Sequence, residues 1–137
     1  MKSNFLLLAL ASALFLMTGC VTDQTEMGAS PKIPAAEGLV NIRDTSNENT
    51  HLDLIVKHLA EPSKMSPDAS TYVVWSKAMT ENSKPQNLGA LMVGRDLSGK
   101  LSTVTPLRNF ELFVTAEATS EAQQPSGEHL LWAKIIH

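Results

Sequence analysis

From Gly38 onward, apolar residues recur at every second position in short runs, and this period of two restricts the chain to β-structure. In residues 51–57, Leu52, Leu54 and Val56 share one face. In residues 110–116, Phe110, Leu112 and Val114 do the same. Further strands are expected at residues 39–42, 72–75, 88–93, 100–105 and 130–136, which makes about seven. Turn residues separate them: the polar stretch 45–50, Pro62 and Pro67, Pro85, Ser98-Gly99, Pro106 and Pro125-Ser126-Gly127. A helix over residues 54–59 is disfavoured by the β-branched pair Ile55 and Val56 and by Pro62. Short strands at this spacing, with no helical run between them, predict an all-β domain. The expected form is an Ig-like antiparallel β-sandwich over residues 38–137, with Trp75 and Trp132 filling the space between the sheets.

The N-terminus is of a different kind. Lys2 precedes an apolar run from Phe5 to Met17, followed by small residues and Cys20. The run is shorter than the roughly 20 residues a spanning helix needs, and its parts are those of a secretory signal. Met17-Thr18-Gly19-Cys20 resembles the lipobox of bacterial lipoproteins, with Met17 where Leu is more usual. The resemblance implies that residues 1–19 are a signal peptide and that Cys20, the only cysteine of the chain, carries a diacylglycerol. Stable anchoring needs more than one acyl chain, which such a lipid supplies. Val21, a residue other than Asp after the cysteine, implies the outer membrane in a Gram-negative host. Residues 20–37 contain Gly28, Pro31 and Pro34 and show no apolar periodicity, so they read as the lipidated N-terminus and a flexible linker.

Charge and composition narrow the function. A net charge of −3 and a pI near 5.7 give no electrostatic footprint for nucleic acid. A single cysteine leaves no disulfide framework and no multi-cysteine metal site. The histidines His51, His58, His129 and His137 have no metal-ligand spacing, and His58 with Glu61 is only a loose pair. Ser70, Thr71, Thr103 and Thr105 lie outside any nucleophile elbow. Ser126-Gly127-Glu128-His129 reads as turn chemistry. Asp53 and Glu111 alternate with apolar neighbours and belong on an outer face. Gly94-Arg95-Asp96 has no helix after it and is a hairpin shoulder, not a phosphate cradle. No catalytic residue, metal or cofactor is expected.

Four landmarks follow in order: Tyr72-Val73-Val74-Trp75, Asn87-Leu88-Gly89, Phe110 to Glu117, and Pro125-Ser126-Gly127 before a last apolar strand. Over residues 70–136 the pattern resembles the extracytoplasmic β-sandwich domain of the anti-sigma-K factor family. That family's cytoplasmic sigma-binding region and transmembrane helix have no counterpart here, and Ala118 stands where the family often has Pro. The resemblance therefore implies a fold and an extracytoplasmic setting, not sigma-factor binding. The expected function is a membrane-anchored envelope lipoprotein whose non-catalytic β domain binds an envelope protein or serves structurally. The alternatives are a small envelope enzyme with an unrecognised site and a carrier for an apolar molecule.

Overall fold

A computed structural model describes residues 23–136. The all-β expectation holds. Nine strands, β1 (Asp23–Ala29), β2 (Glu37–Asp44), β3 (Thr50–Lys57), β4 (Thr71–Ala78), β5 (Gln86–Ala90), β6 (Met92–Val93), β7 (Gly99–Thr105), β8 (Phe110–Glu117) and β9 (Leu131–Ile135), join one helical turn, α1 (Pro62–Met65). All pairings are antiparallel, in the order β5-β4-β8-β9-β1-β2-β3-β7-β6. Among the described residues no helix is long and apolar enough to cross a membrane.

The sheet is continuous where the sequence reading has two separate layers, because two strand segments pass from one half to the other. β1 pairs with β2 along Asp23–Met27, then with β9 at Gly28 and Ala29. The predicted strand 88–93 is divided in the same way. β5 pairs with β4 and β6 pairs with β7. Between them the buried side chain of Leu91 turns inward, and its amide donates to the Tyr72 carbonyl at 2.9 Å. Gly89, at φ 130°, takes a backbone conformation that residues with a side chain rarely adopt, beside a register shift at Val74/Trp75. The result is a sheet nearly closed into a barrel, which leaves little unpaired edge.

One apolar cluster fills the interior from both halves: Val40, Ile42, Leu52, Leu54 and Val56 face Tyr72, Val74, Phe110, Leu112, Val114, Leu131 and Ile135. The alternation read from residues 51–57 and 110–116 is therefore the inward face. Tyr72 is buried in this core, and its hydroxyl donates to the Ala60 carbonyl at 2.7 Å. Burial pushes its pKa up to about 12, so the phenol stays protonated and keeps that bond.

Two expectations need correction. Asp23–Ala29, read as part of a flexible linker, is strand β1, hydrogen-bonded on both sides. Its backbone pairing holds it in place, although Met27 is its one buried side chain. The two tryptophans are not in the barrel interior. On β4, Tyr72 and Val74 point inward, so Trp75, an odd number of positions from each, is on the outer face, where it packs in a second cluster with Val73 and Phe113. Trp132 is 40% exposed, and its indole lies over Gly28. Cys20 and His137 lie outside the described residues.

Candidate functional site

Two polar constellations stand out, one on each half of the sheet. The first is on the outer face of β2, β3 and β7. His51 and Asp53 are two apart on β3 and share a face. The register pairs Arg43 with His51 and Ser102 with Asp53, which brings a serine, a histidine and an aspartate together. The Ser102 hydroxyl donates to Asp53 Oδ1 at 2.7 Å, and Arg43 Nη2 donates to Asp53 Oδ2 at 2.7 Å. The Ser102 hydroxyl, followed by Arg43 and His51, holds the Asp53 carboxyl below the ordinary carboxylate range, against the opposing pull of partial burial.

This trio resembles a nucleophilic triad in composition, but its protons are arranged differently. A triad needs the serine proton directed at the histidine and the histidine Nδ1–H directed at the carboxylate. Here the serine proton goes to Asp53. Arg43 Nη2, a donor only, stands 3.1 Å from His51 Nδ1 and assigns that nitrogen as an acceptor. The neutral ring then carries its proton on Nε2, 3.3 Å from Ser102 Oγ, which accepts it. His51 Nδ1 lies 3.6 Å from Asp53 Oδ2, beyond hydrogen-bond range. Ser102 and Arg43 are exposed, and the cluster sits on an open sheet surface.

The second constellation is buried beneath the loop of residues 118–130, on the outer face of β4 and β8. Trp75 Nε1 donates to Thr115 Oγ1 at 2.9 Å. The Thr115 hydroxyl donates to Glu117 Oε1 at 2.5 Å. Glu117 also receives the Ser126 amide on Oε1 at 2.9 Å and the Ser126 hydroxyl on Oε2 at 2.5 Å. Trp75, Thr115 and Glu117 are all buried. Burial pushes the Glu117 carboxyl up, but the hydroxyls of Ser126 and Thr115 and the amides of Ser126 and Gly127 outweigh it and hold the group below its ordinary value. A Cβ at Gly127 would stand 3.1 Å from the Ala116 carbonyl oxygen, so glycine lets the loop backbone approach β8 closely. Asn87 Nδ2 secures the same loop by donating to the carbonyls of Ser120 and Ala122, both at 2.9 Å. His129 stacks on Phe113 with ring centroids 3.8 Å apart.

The remaining sequence candidates are dispersed. Ser70 donates to the Ala118 carbonyl at 2.7 Å, and Thr103 donates to the Leu88 carbonyl at 3.3 Å. Thr105 Oγ1 accepts the Leu107 amide, and Thr71 pairs with Glu117 along β4 and β8. His58 leaves β3 at φ 56°. Glu111 is on the outer face, with Oε1 3.9 Å from His129 Nδ1. Ser126 hydrogen-bonds Glu117, so the Ser126-to-His129 segment pins a loop. Among the described residues no group of three or more His, Cys, Asp or Glu is placed to hold a metal ion. A surface groove of about 450 Å³ runs along Glu26, Leu39, Ile55 and Lys57 and contains neither constellation.

Sequence reasoning missed Arg43 and Ser102. Alternation puts His51 and Asp53 on one face, but only the strand register adds the other two. The four sequence landmarks do converge in space: Trp75, Asn87, the Thr115–Glu117 segment and Ser126-Gly127 all meet at the 118–130 loop. No family model matches the chain, and neither a curated protein nor a solved structure matches it.

Proposed function

We propose that this chain is an envelope lipoprotein, anchored through lipid on Cys20, whose β domain is a non-catalytic binding or structural module. The observation that carries the reading is the apolar leader ending in Met17-Thr18-Gly19-Cys20, with the chain's sole cysteine at the position that would become the new N-terminus. The proton arrangement around Ser102 supports the non-catalytic part, since the serine proton is held by Asp53. The convergence of the four landmarks on one loop supports a structural origin for the likeness to the anti-sigma-K factor domain. It extends the proposal to a role in extracytoplasmic sensing, a fold-level analogy.

Cys20→Ser tests the anchor. The variant is expected to lose palmitate labelling in cells and to move from the membrane to the soluble fraction. Membrane retention of unlabelled protein would contradict lipidation. In-cell crosslinking of the lipidated protein, read by mass spectrometry, is expected to capture a specific envelope protein.

The second reading, a small envelope hydrolase, is favoured by one observation, the meeting of Ser102, His51 and Asp53. A fluorophosphonate probe separates the two. Wild-type protein is expected to stay unlabelled, as is Ser102→Ala. Labelling of wild type that disappears in Ser102→Ala would establish the hydrolase reading instead.

A further inference from the structure

We infer that the barrel is held end-on against the bilayer, with the end bearing the 45–49 hairpin turned to the lipid and the 58–70 and 118–130 loops turned away. The inference rests on the lipid-anchor reading and adds an orientation to it. Its starting point is where β1 begins. Asp23 is paired with Ile42 in the strand ladder, so the folded domain has begun by that residue. Only residues 21 and 22 separate it from Cys20. Even fully extended, that connection spans about 11 Å. A tether this short cannot act as the long stalk that the sequence reading of residues 20–37 gives.

The register identifies what lies at the tethered end. The Asp23–Ile42 pairing puts the start of β1 beside the β2–β3 turn, residues 45–49. Thr50 pairs with Thr105, which adds the loop of residues 106–109. Phe110 pairs with both Ala78 and Ile135, which adds the loop of residues 79–85 and the end of β9. Arg108 and Asp44, 3.4 Å apart, tie two of these segments together. Of the exposed large apolar side chains, Met79 and Ile136 are at this end, while Met92 and Trp132 are toward the other. At the opposite end are the loops of residues 30–36, 58–70, 94–98 and 118–130. β1, at 7 residues, is about 23 Å long, roughly twice the reach of the tether. With β1 upright on the bilayer the distal loops therefore stand beyond the tether's reach of the lipid, and they would meet it only if the barrel lay down along the surface. Cleavage before Cys20 removes Lys2 and leaves the mature chain more acidic than the −3 of the full sequence, so no net charge draws the barrel down along an anionic bilayer and the tethered end stays nearest the lipid. The longer loops then face the envelope space, where loops commonly carry recognition.

The test uses the full lipidated protein. Its only native cysteine carries the lipid in this reading, so an added thiol is uniquely reactive. Asn47→Cys places a fluorophore at the tethered end, and Arg95→Cys places one at the distal end. Both residues are exposed in turns. The proteins are reconstituted into phosphatidylethanolamine–phosphatidylglycerol vesicles containing a headgroup spin-labelled lipid. Quenching is expected to be at least threefold stronger at position 47 than at position 95. Inserting a 15-residue Gly-Ser segment between Thr22 and Asp23 should remove the difference. Equal quenching in protein that carries palmitate would overturn the orientation and leave the anchor intact. Absence of palmitate from Cys20 would overturn both.

Discussion

Trp75→Ala is expected to destabilise the domain by about 3–5 kcal/mol, the usual range for truncating a buried tryptophan. Trp75 is fully buried although it lies outside the barrel interior. Its indole is enclosed by Val73, Phe113 and Ala122, the last contributed by the 118–130 loop. Truncation removes those contacts and the bond from Nε1 to Thr115 Oγ1. The loop can settle partly into the vacated space, which places the cost nearer the lower end of the range. Trp75→Phe keeps most of the ring and loses the donor, so a loss of about 1 kcal/mol is expected. Urea denaturation of both variants measures these values. A change below 1 kcal/mol for Trp75→Ala would show that the loop is not held through the indole. The same variant should make residues 118–130 more open to proteolysis than the 45–49 hairpin, because the cluster it breaks is local.

The tryptophans also show what the sequence carries and what it hides. Seven strands are legible because one inward face survives as alternation, most clearly in Leu52, Leu54 and Val56 and in Phe110, Leu112 and Val114. Strand parity already separates Trp75 from Tyr72, three positions away and on opposite faces of a regular strand. Size alone suggests a core role for Trp75, and the residue is indeed buried. What encloses it is a loop from elsewhere in the chain, and a strand's own pattern does not reveal its cover. β1 is hidden for a different reason. Asp23 and Thr25 share the parity of Met27, so the inward side of the strand is polar at the point where it leaves β9. An opening lined by Asp23, Thr25, Ile42 and Lys134 marks that corner. Ladder bonds to β2 hold the strand there, and ladder bonds leave no hydrophobic period. The Arg43–His51–Asp53–Ser102 cluster is half legible, since parity joins His51 to Asp53 and only register supplies Arg43 and Ser102.

Glu117→Gln is expected to cost about 3 kcal/mol at neutral pH, because it replaces a carboxylate that receives several hydrogen bonds, some of them charge-assisted. Each group around Glu117 donates to it: the hydroxyls of Thr115 and Ser126 and the Ser126 amide. A glutamine can keep its oxygen toward Thr115 and the Ser126 amide only by turning its NH2 toward the Ser126 hydroxyl, which must reverse from donor to acceptor, and every bond loses its charge assistance. The pH dependence distinguishes this account from a packing effect. The folded-state pKa of Glu117 lies below its ordinary value of 4.5. Such a group contributes its stabilisation fully above the unfolded value and loses it as pH falls through the folded one. Wild type should therefore lose stability progressively below about pH 4.5, as the Glu117 carboxylate is protonated. The glutamine variant lacks that titration, so its stability should fall less over the same interval. The gap between the two proteins should narrow toward acid pH. Asp53 and Asp96, both held below 3.8, titrate in both proteins and cancel in the comparison. Denaturant titrations from pH 7 down to pH 3 would measure the gap. Parallel curves would mean that the carboxylate charge contributes nothing, and that the 118–130 loop is held by packing and by its other ties, among them Asn87 and Ser70.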